Sequence, residues 1–236
     1  MCTVTYVPNS NQGFILTSNR DESVKRGLAL PPRAYYVHNQ YITFPKDPKA
    51  GGTWLAVSNN FLLCLLNGAE KKHVHQSSYR KSRGLVMLEF FEYNSPSEYT
   101  SKGNFSNIEP FTLVIVQKPD VIIHQFRWDG SKASLIKLDS DQNHIWSSST
   151  LYEASVISAR QAWFSKFLSA HLQQPVAQNL MDFHLFGGNG DSRNDLVMQR
   201  NEHLKTVSIT QYIQTNLSGR LVYNDLITKE VKELSI

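Results

Sequence analysis

With 236 residues, 41% of them hydrophobic and 19% charged, the chain has the make-up of a folded globular protein, far from disordered or fibrous composition. Its formal charge of +4 arises from 24 Lys and Arg against 20 Asp and Glu, scattered without the dense basic stripe or recognisable module of a nucleic-acid binder. The longest apolar run, Phe61 to Leu66, is far too short to span a bilayer, and no charged-then-apolar signal segment opens the chain. A single cytoplasmic domain over residues 1–236, with no transmembrane segment and no nucleic-acid partner, is therefore expected, and Cys2 and Cys64 are expected to be thiols.

Short strands separated by Gly, Pro or Asn dominate the first third: Thr3 to Val7, Phe14 to Thr17, Thr53 to Val57 and Phe61 to Leu66, the last two joined as a hairpin across Ser58-Asn59-Asn60. Ser82 is placed to cap a helix from Arg83 to Tyr93, which Asn94-Ser95-Pro96 ends. Thr112 to Val116 and Val121 to Phe126 flank the turn Lys118-Pro119-Asp120 as a second hairpin, and Ser134 to Leu138 and His144 to Trp146 extend its sheet. Apolar residues then recur at helical spacing from Leu151 to His171, with Trp163 and Phe164 read as core, and a further helix is expected from Val176 to Phe186. After a loop from Gly187 to Asp195, Thr206 to Ile213 and Gly219 to Ile227 return to strand. This order lacks regular strand–helix alternation and predicts an α+β fold with mostly antiparallel pairing, in which two sheets lie face to face with helices outside.

The second residue raises the chemical question. Aminopeptidases remove an initiator Met that precedes a small residue, which leaves Cys2 with a thiol and a free α-amine. That amine, with a pKa of about 8, can serve as base for its own thiol. Arg20 and Asp21 close a strand that pairs with the one beginning near Cys2, so an Arg to lower the thiol pKa and an Asp to orient the amine are both at hand. Asn67, in Leu66-Asn67-Gly68, is a candidate oxyanion donor. Taken singly, a second-position Cys is more often a small strand residue, and an Arg-Asp pair a turn or surface ion pair.

Met1-Cys2, the block Thr17-Ser18-Asn19-Arg20-Asp21-Glu22, Gly51-Gly52-Thr53-Trp54-Leu55 and Leu66-Asn67-Gly68, followed by Trp146-Ser147-Ser148-Ser149-Thr150-Leu151-Tyr152, together resemble the NRDE family, also called the transport and Golgi organisation protein 2 family. The resemblance implies a four-layer αββα sandwich of the N-terminal nucleophile hydrolase type, in which Cys2, Arg20 and Asp21 form the core of the site and Asn67 matches an oxyanion asparagine. It departs from the related amidases downstream, where Ser148 or Ser149 and Lys205 stand in place of an Asn and an Arg.

The family itself points to haem moved as a transferred ligand toward haemoprotein acceptors, with acyl-CoA or lipid carriage as another proposed role. The segment Lys71-Lys72-His73-Val74-His75 with Arg80 and Arg83 offers basic groups for haem propionates before a helix start, and His73, His75 or Cys64 as groups to approach iron. A basic run before a helix is most often a solvated loop, His73 and His75 are more often surface groups than ligands, and Cys64 inside an apolar strand reads as core. No zinc-type spacing is present and no metal cofactor is expected; Gly187-Gly188-Asn189-Gly190-Asp191 resembles one calcium-binding repeat, but a single copy builds no site.

Overall fold

The computed structural model describes residues 3–9, 13–118, 120–171, 175–216 and 218–236. Cys2 and Pro119 lie outside this set. In chain order the strands and helices are β1 (Thr3–Asn9), β2 (Gly13–Ser23), β3 (Leu30–Val37), β4 (Gln40–Lys46), β5 (Leu55–Val57), β6 (Phe61–Asn67), α1 (Arg83–Glu89), α2 (Pro96–Lys102), β7 (Phe111–Gln117), β8 (Ile122–Trp128), β9 (Ala133–Leu138), β10 (His144–Ser147), α3 (Ala154–Ala170), α4 (Ala177–Phe186), β11 (Leu204–Gln214), β12 (Gly219–Asp225) and β13 (Val231–Ser235). They form two compact units, Met1–Arg26 with Asp141–Ile236, and Gly27–Ser140. The α+β class with two antiparallel sheets is as expected from sequence, each unit carrying one sheet and its own helices.

The unit built from both chain ends holds a six-stranded sheet in the order β10-β1-β2-β11-β12-β13. Helices α3 and α4 pack on one face of it, where Val7, Ile15, Ile209, Ile213 and Val222 meet Phe164, Leu168, Leu180 and Phe183. Burial of this apolar surface is the main force holding helices to sheet. Phe164 is core, as its helical spacing predicted.

The central unit is a seven-stranded meander, β3 to β9 in sequence order. Its helical side is dominated by aromatic contacts: Phe105 and Phe126 pack against Tyr99, Trp128 meets Phe105 and Phe111 meets Phe126, and the Tyr99 hydroxyl donates to the Val86 carbonyl at 3.0 Å. The Gly51-Gly52-Thr53 block has a steric purpose here. A Cβ on Gly52 would stand 2.5 Å from the Gly84 carbonyl carbon, and one on Gly84 2.5 Å from the Thr53 oxygen, so two glycines let the start of α1 seat directly on the strand entry. Ser82 caps α1 by accepting from the Leu85 amide, as read from sequence.

Several elements differ from expectation for identifiable reasons. The pair β3 and β4 escaped the sequence reading because Pro31-Pro32 argues against a strand, yet β3 is an edge strand, where a missing amide donor is harmless, and its register with β4 shifts between Leu30 and Arg33. Pro96 ends one helix and also starts α2 at its first turn, with Ser95 accepting from the Glu98 amide at 3.1 Å. The β9 and β10 segments do not extend a common sheet: β9 pairs with β8 in the central unit, whereas β10 pairs with β1 in the other. No helix among the described residues is long and apolar enough to cross a membrane.

Candidate functional site

The Asn19-Arg20-Asp21-Glu22 block lies within β2, which runs on to Ser23 rather than stopping at Thr17. Because side chains alternate along a strand, Arg20 and Asp21 point to opposite faces of the sheet. The sequence placed them beside one another at a thiol; the fold separates them. Thr206 pairs with Asp21 and Ser208 with Arg20, and the register shift between them inserts Val207 as an extra residue. Without that bulge Thr206 and Ser208 would share a face; with it, each follows its own β2 partner.

On the helix-bearing face the side-chain contacts close a network. Asp21 accepts from the Tyr152 hydroxyl through Oδ2 and from the Thr206 hydroxyl through Oδ1, each at 2.5 Å. The Arg160 guanidinium, fully buried, donates to the Asn194 carbonyl at 2.9 Å, the Asp195 carbonyl at 2.7 Å and the Thr3 hydroxyl, and stacks 3.7 Å above the Tyr152 ring. Arg200 flanks the same ring from 5.0 Å and donates to the Leu151 carbonyl. His184 completes the face. Asn19 spends its amide nitrogen on the Leu196 and His184 carbonyls, at 2.8 and 3.1 Å, which turns its Oδ1 toward His184 Nδ1. Nδ1 must therefore carry the proton, leaving Nε2 to accept from the Thr5 hydroxyl at 2.8 Å. Burial, reinforced by the Arg160 charge, pushes the His184 pKa down to about 3, so the ring stays neutral.

The opposite face grades from apolar to polar along β2: Phe14, Leu16, Ser18, Arg20. At its apolar end Tyr6 stacks on Phe14 with centroids 5.4 Å apart, and Phe14 meets Tyr212 at 5.8 Å. At its polar end Arg20, 4% exposed, stands near Ser18, Ser208 and Thr210, all wholly buried; Ser208 interacts with the Tyr223 hydroxyl, and the hydroxyls of Ser18 and Thr210 have no hydrogen-bond partner among the described residues. Glu22 lies 4.0 Å from Arg20, and Tyr223, whose pKa burial and Asp225 push up to about 12, stays protonated as a donor to Asp225 at 3.2 Å. Unsatisfied buried hydroxyls are uncommon in folded proteins and cost about 1–3 kcal/mol each. Two at one end of a sheet face, beside an arginine, mark it as the candidate site.

The remaining sequence candidates fall as follows. Cys2 is outside the described residues, but its chain neighbour Thr3 pairs with Asn19, next to Arg20, and is held by Arg160. Ser148 and Ser149 are buried just after β10, and Lys205 sits opposite Glu22. Asn67 ends β6 in the central unit, opposite Phe111. Cys64 is a fully buried thiol of β6, in keeping with a core role. Lys71 and Lys72 are exposed, Arg80 donates to the Ser106 and Asn104 carbonyls, Arg83 pairs with Glu109 at 3.1 Å, and His73 and His75 point at Glu109. The basic segment is thus tied into the central unit at both arginines, with Lys71 and Lys72 exposed.

Sequence reasoning missed Arg160, His184, Thr206, Ser208 and Thr210. Arg160 and His184 lie on helices, where polar residues read as solvent-facing, and only the pairing of β11 with β2 gives the hydroxyls meaning. The family model described as Transport and Golgi organisation 2 matches residues 1–218. No curated protein matches the chain.

Proposed function

Since the chain belongs to the Transport and Golgi organisation 2 family, the NRDE family, we propose that it binds haem as cargo in the cytoplasm and hands it on to haemoprotein acceptors. The observation that carries this reading is the graded face of the terminal unit. Haem is a flat apolar ring with two carboxylates at one edge, and the face offers aromatic and aliphatic side chains first, then unpaired hydroxyls and Arg20. Carboxylates accepting from a guanidinium and hydroxyls in a dry setting form strong, charge-assisted hydrogen bonds. Titration of the purified protein with haem, followed by transfer to an apo-haemoprotein, tests it. Saturable binding that Arg20→Gln weakens about tenfold, equivalent to about 1.4 kcal/mol, is expected. No saturation, or transfer no faster than from free haem, overturns it. The same face would also accept a fatty acyl carboxylate or acyl-CoA, and native mass spectrometry of co-purified ligands separates these from haem.

A second reading is favoured by one observation, the register that sets Thr3 against Asn19 and so brings the chain start to the strand carrying Arg20. Under it, Cys2 is the nucleophile of an amide or thioester hydrolase: its α-amine takes the thiol proton, the thiolate attacks the carbonyl, and Arg20 steadies the thiolate. Asp21 supports the terminus from the other face, through Tyr152 and Thr206, and Asn67 is the candidate oxyanion donor. The intact mass of the cellular protein is the first check, since a retained Met1 blocks the amine. Hydrolysis that survives Cys2→Ala excludes the mechanism.

A further inference from the structure

Three side chains of the central unit converge on one point. His73 Nε2 lies 3.2 Å and His75 Nδ1 3.4 Å from the same oxygen, Oε1 of Glu109, and the three ligand atoms all fall within 4.8 Å of one another. The other carboxylate oxygen, Oε2, is held by Arg83 at 3.1 Å. His73, Glu109 and Arg83 are largely buried, with side-chain exposures of 14%, 17% and 16%, whereas His75 is 72% exposed. We propose that His73, His75 and Glu109 form a three-ligand site for a borderline divalent cation of the Zn2+ type, with one coordination position left for water or an incoming donor.

The distances carry the argument. With metal–ligand bonds of about 2.0–2.1 Å, neighbouring donors of a tetrahedral ion stand roughly 3.3–3.4 Å apart, and both His–Glu separations lie at that edge length. Two imidazoles and a carboxylate are a donor set that borderline ions take in preference to hard ones. Arg83 supplies the orienting contact to Glu109, occupying Oε2 and turning Oε1 toward the histidines, as outer-shell partners of metal carboxylates do. In the metal-free protein the same groups form a hydrogen-bonded cluster, with His73 Nε2 on Glu109 Oε1 at 3.2 Å, and metal titration distinguishes a site from that cluster alone. The exposed edge at His75 gives the ion a route in. The sequence offered no zinc signature because His73 and His75 lie on a loop and Glu109 comes from the segment entering β7, so no short motif spans the set.

The full-length protein, stripped with chelator, titrated with Co2+ and followed by visible absorption, tests the site. One equivalent is expected to give the intense ligand-field bands of four-coordinate cobalt, bleached on adding Zn2+. His75→Ala alters only an exposed loop side chain and should fold normally; it is expected to lower Co2+ affinity at least about tenfold, Glu109→Gln more, and Arg83→Met by about tenfold through loss of orientation. A weak octahedral spectrum, absence of saturation, or unchanged affinity in His75→Ala overturns the proposal. Co2+ titration of Arg20→Gln separates this site from the graded face, since the cobalt bands and Co2+ affinity are expected to be unchanged in that variant.

Discussion

The two faces of the terminal sheet are made from the same strands and nearly the same residue types, yet they are opposites in hydrogen-bond accounting. Behind the helices, Asp21, Asn19, His184, Arg160 and Thr206 have their polar atoms matched to named partners. Across the sheet, Ser18 and Thr210 keep buried hydroxyls without partners among the described residues, beside Arg20. A closed network stabilises and fixes one geometry, whereas open donors carry a cost that folding alone does not recover. The comparison separates the two members of the Arg-Asp pair: Asp21 holds the strand and the helices together, and Arg20 lies on the opposite face beside Ser18 and Thr210.

The comparison can be broken most forcefully at Arg160. Arg160→Met leaves the Asn194 and Asp195 carbonyls and the Thr3 hydroxyl without their buried donor, and a loss of roughly 3–5 kcal/mol is expected by denaturant unfolding. A cost below about 1 kcal/mol would mean that the closed network is not what anchors the chain start.

Next in size is the acid response of the same face. His184 has its pKa lowered from 6.5 to about 3 in the fold, so between these values the unfolded chain binds the extra proton and the native state does not. Above pH about 6.5 the group contributes no pH dependence. As pH falls through that window stability drops, by up to about 1.4 kcal/mol per unit from this one group. His184→Gln removes the titration, so the stability difference between variant and wild type, measured by urea unfolding at several pH values, should shift in the variant's favour on acidification. A constant difference would contradict the neutral buried ring.

The smallest effect is the most informative about the open face. Thr210→Val deletes an unpaired buried hydroxyl at nearly constant volume, and stability is expected to stay level or rise by up to about 1 kcal/mol. Haem affinity should fall about threefold in the same variant. A clear destabilisation would show that the hydroxyl is bonded in solution and that the two faces do not differ as drawn.

The blocks that carry the family resemblance divide between local tasks and contacts made across the fold. Gly51-Gly52-Thr53 seats α1 by close backbone contact and Ser82 caps it, both local tasks that a sequence reveals. Tyr152, at the end of the Trp146–Tyr152 block, proves to be the partner of Asp21, which no periodicity announces. The edge strand containing Pro31-Pro32 was hidden for the converse reason: local propensity opposed it, and only its place at the margin of the sheet makes it tolerable.

The sequence by itself determined most strands and helices, the antiparallel α+β class and the family, because hydrophobic periodicity, caps and turn residues act over a few neighbours. Tertiary structure decided which side chains meet. The insertion of Val207 sends Thr206 to Asp21 and Ser208 to Arg20, β10 crosses to pair with β1, and Glu109 comes to lie against His73 and His75. Each of these depends on register or approach between segments distant in the chain, where a shift of one residue exchanges one face for the other, and no local pattern fixes that choice.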